Sequence, residues 1–194
     1  MSEARVDDAL SEALVALAHW LSAARVPYAL IGGLAVALQA APRFTKDIDL
    51  VVWTDDARWP ELVASAEPFS IMPRRADVLA FAQRTRVLLL AHSSGVPLDI
   101  SCGALPFEQE LVERAEPIDV GAVVLQVATP VHLLVMKAIA NRPRDRADIE
   151  TLLRTFPDVD TVAARAVVQE FADALEAPEL LSDFDRLVRD SQPR

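Results

Sequence analysis

Leucines at positions 10, 14, 17 and 21 recur at helical spacing and predict an amphipathic helix over 7–24. Pro27 closes that element, and the apolar run Tyr28-Ala29-Leu30-Ile31 reads as a short buried strand. Residues 34–40 are rich in Ala and Leu and predict a helix that stops at the turn Ala41-Pro42. A second strand follows over 48–53. Asp55 or Asp56 then supplies a cap for a helix to about residue 66, and 77–84 predicts another short helix. Two apolar runs, 86–91 and 96–101, flank His92-Ser93-Ser94-Gly95, which has turn composition, so the pair predicts a hairpin.

The remaining pattern turns helical. A helix over 107–115 and a strand over 122–127 precede Thr129-Pro130, a cap followed by proline at its preferred first position. That helix runs to about residue 140, and further helices are expected over 144–156, 161–175 and 179–189. The fold class is therefore α/β: a small mixed sheet flanked by helices over 1–128, then a helical region over 129–194. No internal repeat or low-complexity linker interrupts it.

A chain of 194 residues with 52% hydrophobic content fits one domain, or one domain with a small helical extension. No apolar run approaches the roughly 18 residues of a membrane span, and the first ten residues lack a basic-then-apolar secretory signature. The single cysteine, Cys102, excludes an internal disulfide and a cysteine-based zinc site. His19, His92 and His132 lie far apart in sequence. A cytoplasmic protein that does not engage membranes is expected.

Net charge of −10 argues against clamping duplex DNA, which needs a broad basic surface. Positive charge gathers in two neighbourhoods, Arg74, Arg75, Arg84 and Arg86, and Arg142, Arg144 and Arg146. Each reads either as a solvated face or as a hold for a small anion. The 19 basic residues include only two lysines, Lys46 and Lys137, and Lys46 directly precedes a pair of acids.

Those acids are Asp47 and Asp49. Side chains alternate along a strand, so both are expected on one face, with Ile48 toward the core. Asp99 sits between Leu98 and Ile100 in the second hairpin strand, an apolar setting where an unpaired carboxylate is costly. If the two strands are neighbours, Asp99 joins Asp47 and Asp49. Three such carboxylates hold two divalent ions about 3.5–4 Å apart, an arrangement suited to in-line nucleotidyl displacement; magnesium suits an all-oxygen set. Gly32 and Gly33 let the backbone approach phosphate oxygens, and the helix after them adds a positive dipole end. A different reading pairs Asp99 with an arginine such as Arg86 across the hairpin.

The ordered set of strand, Gly-Gly, short helix, Asp-x-Asp strand and later single Asp resembles the nucleotidyltransferase superfamily of the DNA polymerase β type, over about residues 27–101. Where that superfamily often has serine in the turn, this chain has Gly33, which leaves the phosphate contact to backbone amides. Thr129 to Ala138, followed by Arg142-Pro143-Arg144-Asp145-Arg146-Ala147-Asp148, resembles the AbiEii-type nucleotidyltransferases, toxin components of bacterial toxin–antitoxin and phage-defence systems. That resemblance implies that Lys137 contacts nucleotide phosphates and that Asp145 or Asp148 supports catalysis. It also implies transfer of a nucleoside monophosphate from a nucleoside triphosphate to an acceptor hydroxyl on an RNA end, a protein or a small molecule, and a cognate antitoxin protein as partner. Adenylylation of an antibiotic and a non-catalytic partner-binding module are the other two readings.

Overall fold

A computed structural model of the chain describes residues 8–42 and 45–191. They form two compact units. One runs to Leu34 and resumes as far as Ala128; the other takes Ala35–Pro42 and the chain from Thr129 onward.

The first unit is built on a seven-stranded mixed sheet. Helix α1 (Asp8–Ala24) precedes strand β1 (Tyr28–Ile31), α2 (Gly32–Gln39) and β2 (Ile48–Val52). Then come α3 (Trp59–Ala64), β3 (Ile71–Pro73), α4 (Val78–Thr85), β4 (Val87–His92), β5 (Pro97–Cys102), α5 (Pro106–Glu113), β6 (Glu116–Asp119) and β7 (Val124–Val127). The strand order is β3-β4-β5-β2-β1-β7-β6. Strands β1 and β2 are antiparallel, while β2 runs parallel to β5 and β1 parallel to β7.

Burial explains these assignments. All four residues of β1 are buried, as expected of a central strand covered on both faces. In β2 only Asp49 breaks an otherwise buried run. Strands β4 and β5 alternate strictly between half-buried and buried positions, so one of their faces is partly open. The α1 stripe is buried as its spacing requires, including Leu10, Leu14, Leu17 and Leu21, and Trp20 donates its indole N–H to Ser65 Oγ at 2.9 Å.

Several expected boundaries shift for identifiable reasons. The strand β1 passes into α2 with no intervening loop, because Gly32 takes φ +68 and makes the corner within one residue. The helix expected over 55–66 is broken into a 3₁₀ turn at Asp56–Arg58, α3, and a second 3₁₀ turn at Glu67–Phe69; neither turn receives a side-chain cap, and Asp56 accepts hydrogen bonds from Arg86 instead. Strands β3 and β6 carry proline and show no alternation strong enough to read, which fits their places at the two sheet edges.

The second unit is helical. Helices α6 (Pro130–Ala140), α7 (Pro143–Thr155), α8 (Thr161–Ala174) and α9 (Pro178–Ser191) follow in order. Helix α6 packs on α7, α8 and α9, and buries Leu133, Leu134, Val135 and Ala138. Asn141, at φ +46, ends α6, and Pro143 opens α7. Thr129 occupies the cap position of α6, but its hydroxyl lies 2.7 Å from His132 Nδ1 and caps no backbone N–H. Thus His132, which carries no partner in the sequence pattern, has one in the fold. Among the described residues, no helix is long and apolar enough to cross a membrane.

Candidate active site

The parallel pairing of β2 with β5 places Asp49 directly beside Asp99. The two acids occupy one cross-strand row and therefore share a face of the sheet. This is the juxtaposition that the sequence made conditional on the strands being neighbours. On the other side of β2, Asp49 is paired with Ile31, the last residue of β1, and the chain turns away at Gly32.

Gly32 is required at this corner twice over. Its φ is positive, and a Cβ built on it would lie 2.7 Å from both Cβ and Cγ of Asp49. The Asp49 carboxylate therefore rests against bare backbone at the start of α2, where the first amides of the helix lack intrahelical partners. Gly33, the next residue, is buried in the first turn of the same helix. Gly32→Ala is expected to cost at least about 1–2 kcal/mol from the left-handed backbone alone, and to displace Asp49. A urea melt together with calorimetric triphosphate binding checks both effects; an alanine variant that matched the parent in each would show the corner to be uncommitted.

Asp47 lies one residue ahead of β2, so strand alternation does not set its direction. Its carboxylate accepts a hydrogen bond from Thr45 Oγ1 at 2.9 Å. Lys46 beside it is exposed. Asp99 is paired with an arginine, but with Arg74 and not with Arg86. Arg86 is spent elsewhere: it donates to Asp56 Oδ1 at 3.0 Å and Oδ2 at 3.2 Å, and to the carbonyls of Cys102 and Gly103. Arg75 and Arg84 both lie on Asp77, at 2.5 Å and 3.9 Å. The Arg74–Arg86 neighbourhood is therefore matched by carboxylates, and its apparent positive excess in the sequence is not present as a free basic patch.

The donor set fits a small hard cation. Asp49 and Asp99 offer carboxylate oxygens from adjacent strands, and Gly32 leaves no side chain crowding Asp49. Among the described residues, no three His, Cys, Asp or Glu side chains have converged closely enough to hold a metal ion. The carboxylate of Asp99 is turned to Arg74, and that of Asp47 to Thr45. Cys102, in the same strand as Asp99, is no competing nucleophile: burial pushes its thiol up to about 12.

Lys137, Asp145 and Asp148 come together in the helical unit. The ammonium of Lys137 lies 3.1 Å from Asp145 Oδ1 and 2.8 Å from Asp148 Oδ2. Arg142 Nε adds a 2.6 Å contact to Asp145 Oδ2, and the Arg142 backbone N–H donates to the same oxygen at 3.2 Å. The exposures of Lys137, Asp145 and Asp148 are 5%, 0% and 5%, so the cluster is internal. Burial pulls the Asp145 carboxyl upward, but the hydrogen bonds from Arg142 and Lys137 outweigh it and hold the group below its usual range. In the second basic neighbourhood Arg142 is held by Asp145, and Arg146 binds Asp183 at 2.8 Å and Asn141 at 2.9 Å.

Solved structures share this architecture. An antigenic nucleotidyltransferase-like protein from Paracoccidioides brasiliensis superposes with a TM-score of 0.50 at 18% identity, over 90% of this chain and 91% of that one. The antibiotic-resistance factor ANT(2'')-Ia, in its solution structure, gives a TM-score of 0.53 at 15% identity, over 89% of this chain and 94% of its own. Its crystal structure in complex with adenylyl-2''-tobramycin gives the same TM-score and identity, over 84% and 98%. The fold is that of nucleotidyltransferases. No curated protein sequence matches the chain. The family described as nucleotidyl transferase AbiEii toxin, type IV toxin–antitoxin system, matches residues 15–194, and the chain belongs to that family. By class it is a nucleotidyltransferase.

Proposed function

We propose that the protein transfers a nucleoside monophosphate from a nucleoside triphosphate to an acceptor hydroxyl, in a magnesium-dependent reaction, as the toxin of a toxin–antitoxin pair. The observation that carries this reading is the register of Asp49 with Asp99, with the Gly32 corner packed against Asp49. Asp47, Asp49 and Asp99 are the residues that would hold the metal. When bound, magnesium neutralises charge on the triphosphate and on the departing pyrophosphate.

The chain's own residues account for the rest. The amides that open α2, at Gly32 and Gly33, offer donors to phosphate oxygens, aided by the positive end of the helix dipole. Exposed Lys46 adds a positive charge beside the acids. The acceptor oxygen forms a bond to the α-phosphorus as the bond to the bridging oxygen breaks. Its proton passes to an Oδ atom of Asp99. Catalysis in this scheme is positioning and charge stabilisation, with no covalent enzyme intermediate.

The acceptor is an RNA end, a protein or a small molecule, and a cognate antitoxin protein is the expected partner. ANT(2'')-Ia, whose complex holds adenylyl-2''-tobramycin, supports a small-molecule acceptor only by fold. Incubating the purified chain with each α-labelled triphosphate, magnesium and separate cellular RNA, protein and small-molecule fractions distinguishes the three. Label in one fraction, absent with the Asp47→Asn, Asp49→Asn double variant, is the expected result. No transfer, together with no magnesium-dependent triphosphate binding, sinks the proposal.

A further inference from the structure

Asp99 and Arg74 belong to a row of four positions laid across four neighbouring strand paths. Asp49 pairs with Asp99, Asp99 pairs with Leu89, and the Arg74 backbone N–H donates to the Leu89 carbonyl at 3.0 Å. Residues in such a row stand on one face of the sheet, roughly 5 Å apart from strand to strand. Arg74, two strand spacings from Asp99, has a side chain long enough to pass over Leu89 and reach its carboxylate, and Arg74 Nη2 donates to Asp99 Oδ1.

We propose that Arg74 is a positioning residue that serves as resident counter-charge of the Asp49–Asp99 pair and must leave Asp99 before a divalent cation can be held there. The proposal rests on the metal reading above. Two carboxylates in register on adjacent strands repel one another, and a nearby guanidinium offsets that repulsion without a cation. The Asp99 carboxylate is turned to this guanidinium, and no three-ligand cluster is closed among the described residues. Arg74 has the freedom to move: its side chain is 32% exposed and that of Asp99 39%. Its neighbours do not share this role. Arg75 is fixed on Asp77 with its guanidinium 4.2 Å from the Phe81 ring centre, and Arg86 on Asp56 and two carbonyls.

Binding of Mn²⁺ to the full chain without nucleotide, followed by electron paramagnetic resonance of the free ion, tests this directly. Arg74→Gln is expected to bind Mn²⁺ roughly three- to tenfold more tightly than the parent, from loss of a half-exposed ion pair and of like-charge repulsion. Arg74→Lys, which keeps the charge, is expected to stay within about twofold of the parent. Asp49→Asn is expected to abolish the site in every background. If Arg74→Gln and the parent bind equally, with binding still lost in Asp49→Asn, the metal reading stands and the role of Arg74 is overturned. A Lys variant as tight as the Gln variant also overturns it, by assigning the gain to shape and not charge. Binding indifferent to Asp49→Asn removes the metal reading and this proposal together. Circular dichroism of each variant confirms that the comparison is between folded chains.

Discussion

Asp49→Asn is expected to lower nucleotidyl transfer by on the order of 10³-fold or more, because it removes several kcal/mol of charge stabilisation at the reacting phosphate. The change is nearly isosteric and sits on a half-buried position of β2, so the sheet should persist with little change in melting temperature. Asp49 is the acid most constrained by its surroundings. It is flanked by Ile31 on one side and Asp99 on the other, and rests against Gly32. No neighbour can substitute from that direction. Loss of transfer with an unchanged melt and an unchanged far-ultraviolet spectrum assigns Asp49 to the chemistry. Transfer retained within tenfold would remove Asp49 from it.

Lys137→Met is expected to act on stability, with a cost of about 3–5 kcal/mol, as for other buried ion clusters that lose one partner. The substitution leaves Asp145 and Asp148 facing each other without the ammonium that separates their charges. Arg142 still reaches Asp145. Denaturant melts measure the effect, and Lys137→Met/Asp148→Asn should recover part of it. The resemblance implies a phosphate contact for Lys137. A stable Lys137→Met variant with weakened triphosphate binding would favour that role over the structural one.

The same cluster carries a pH signature. The folded Asp145 carboxyl is held below its ordinary value of about 3.9. A depressed group contributes stability that is complete above the unfolded value and is lost as pH falls through the folded one. The gap in stability between the parent and Asp145→Asn should therefore be constant from neutral pH down to about 4–5, and close below it.

Where apolar pattern and burial agree, the fold is legible in the sequence. The buried run at Tyr28–Ile31, the alternation in the hairpin and the leucine stripe of α1 each fix an element to within a residue or two. Edge strands escape notice because pairing along one side tolerates Pro73 and Pro117 and demands no alternation. The acids are visible as types, but that Asp49 and Asp99 stand side by side depends on β2 and β5 being neighbours, which tertiary pairing sets. Which arginine meets Asp99 was beyond reach for the same reason. Arg86 is close in the hairpin, yet its position after α4, at φ +58, commits it to Asp56 and the carbonyls beyond β5, whereas Arg74 arrives through a strand that the pattern does not reveal. The co-occurrence of Lys137, Asp145 and Asp148 was equally plain, but their burial was not, since an isolated Lys at that spacing reads as a solvent-seeking side chain.

The pairing of Asp49 with Asp99 joins positions 50 residues apart in the chain. β3 and β4 lie between them in the chain, and β5 must pair with β2 for the two acids to meet. Such a contact closes a long loop and is slow relative to local helices and turns. A chain still emerging from the ribosome with β5 inside the exit tunnel lacks the acid pair, whatever its helices have done. Position 99 lies just past the middle of the chain, so this pair of acids cannot form during the first half of synthesis.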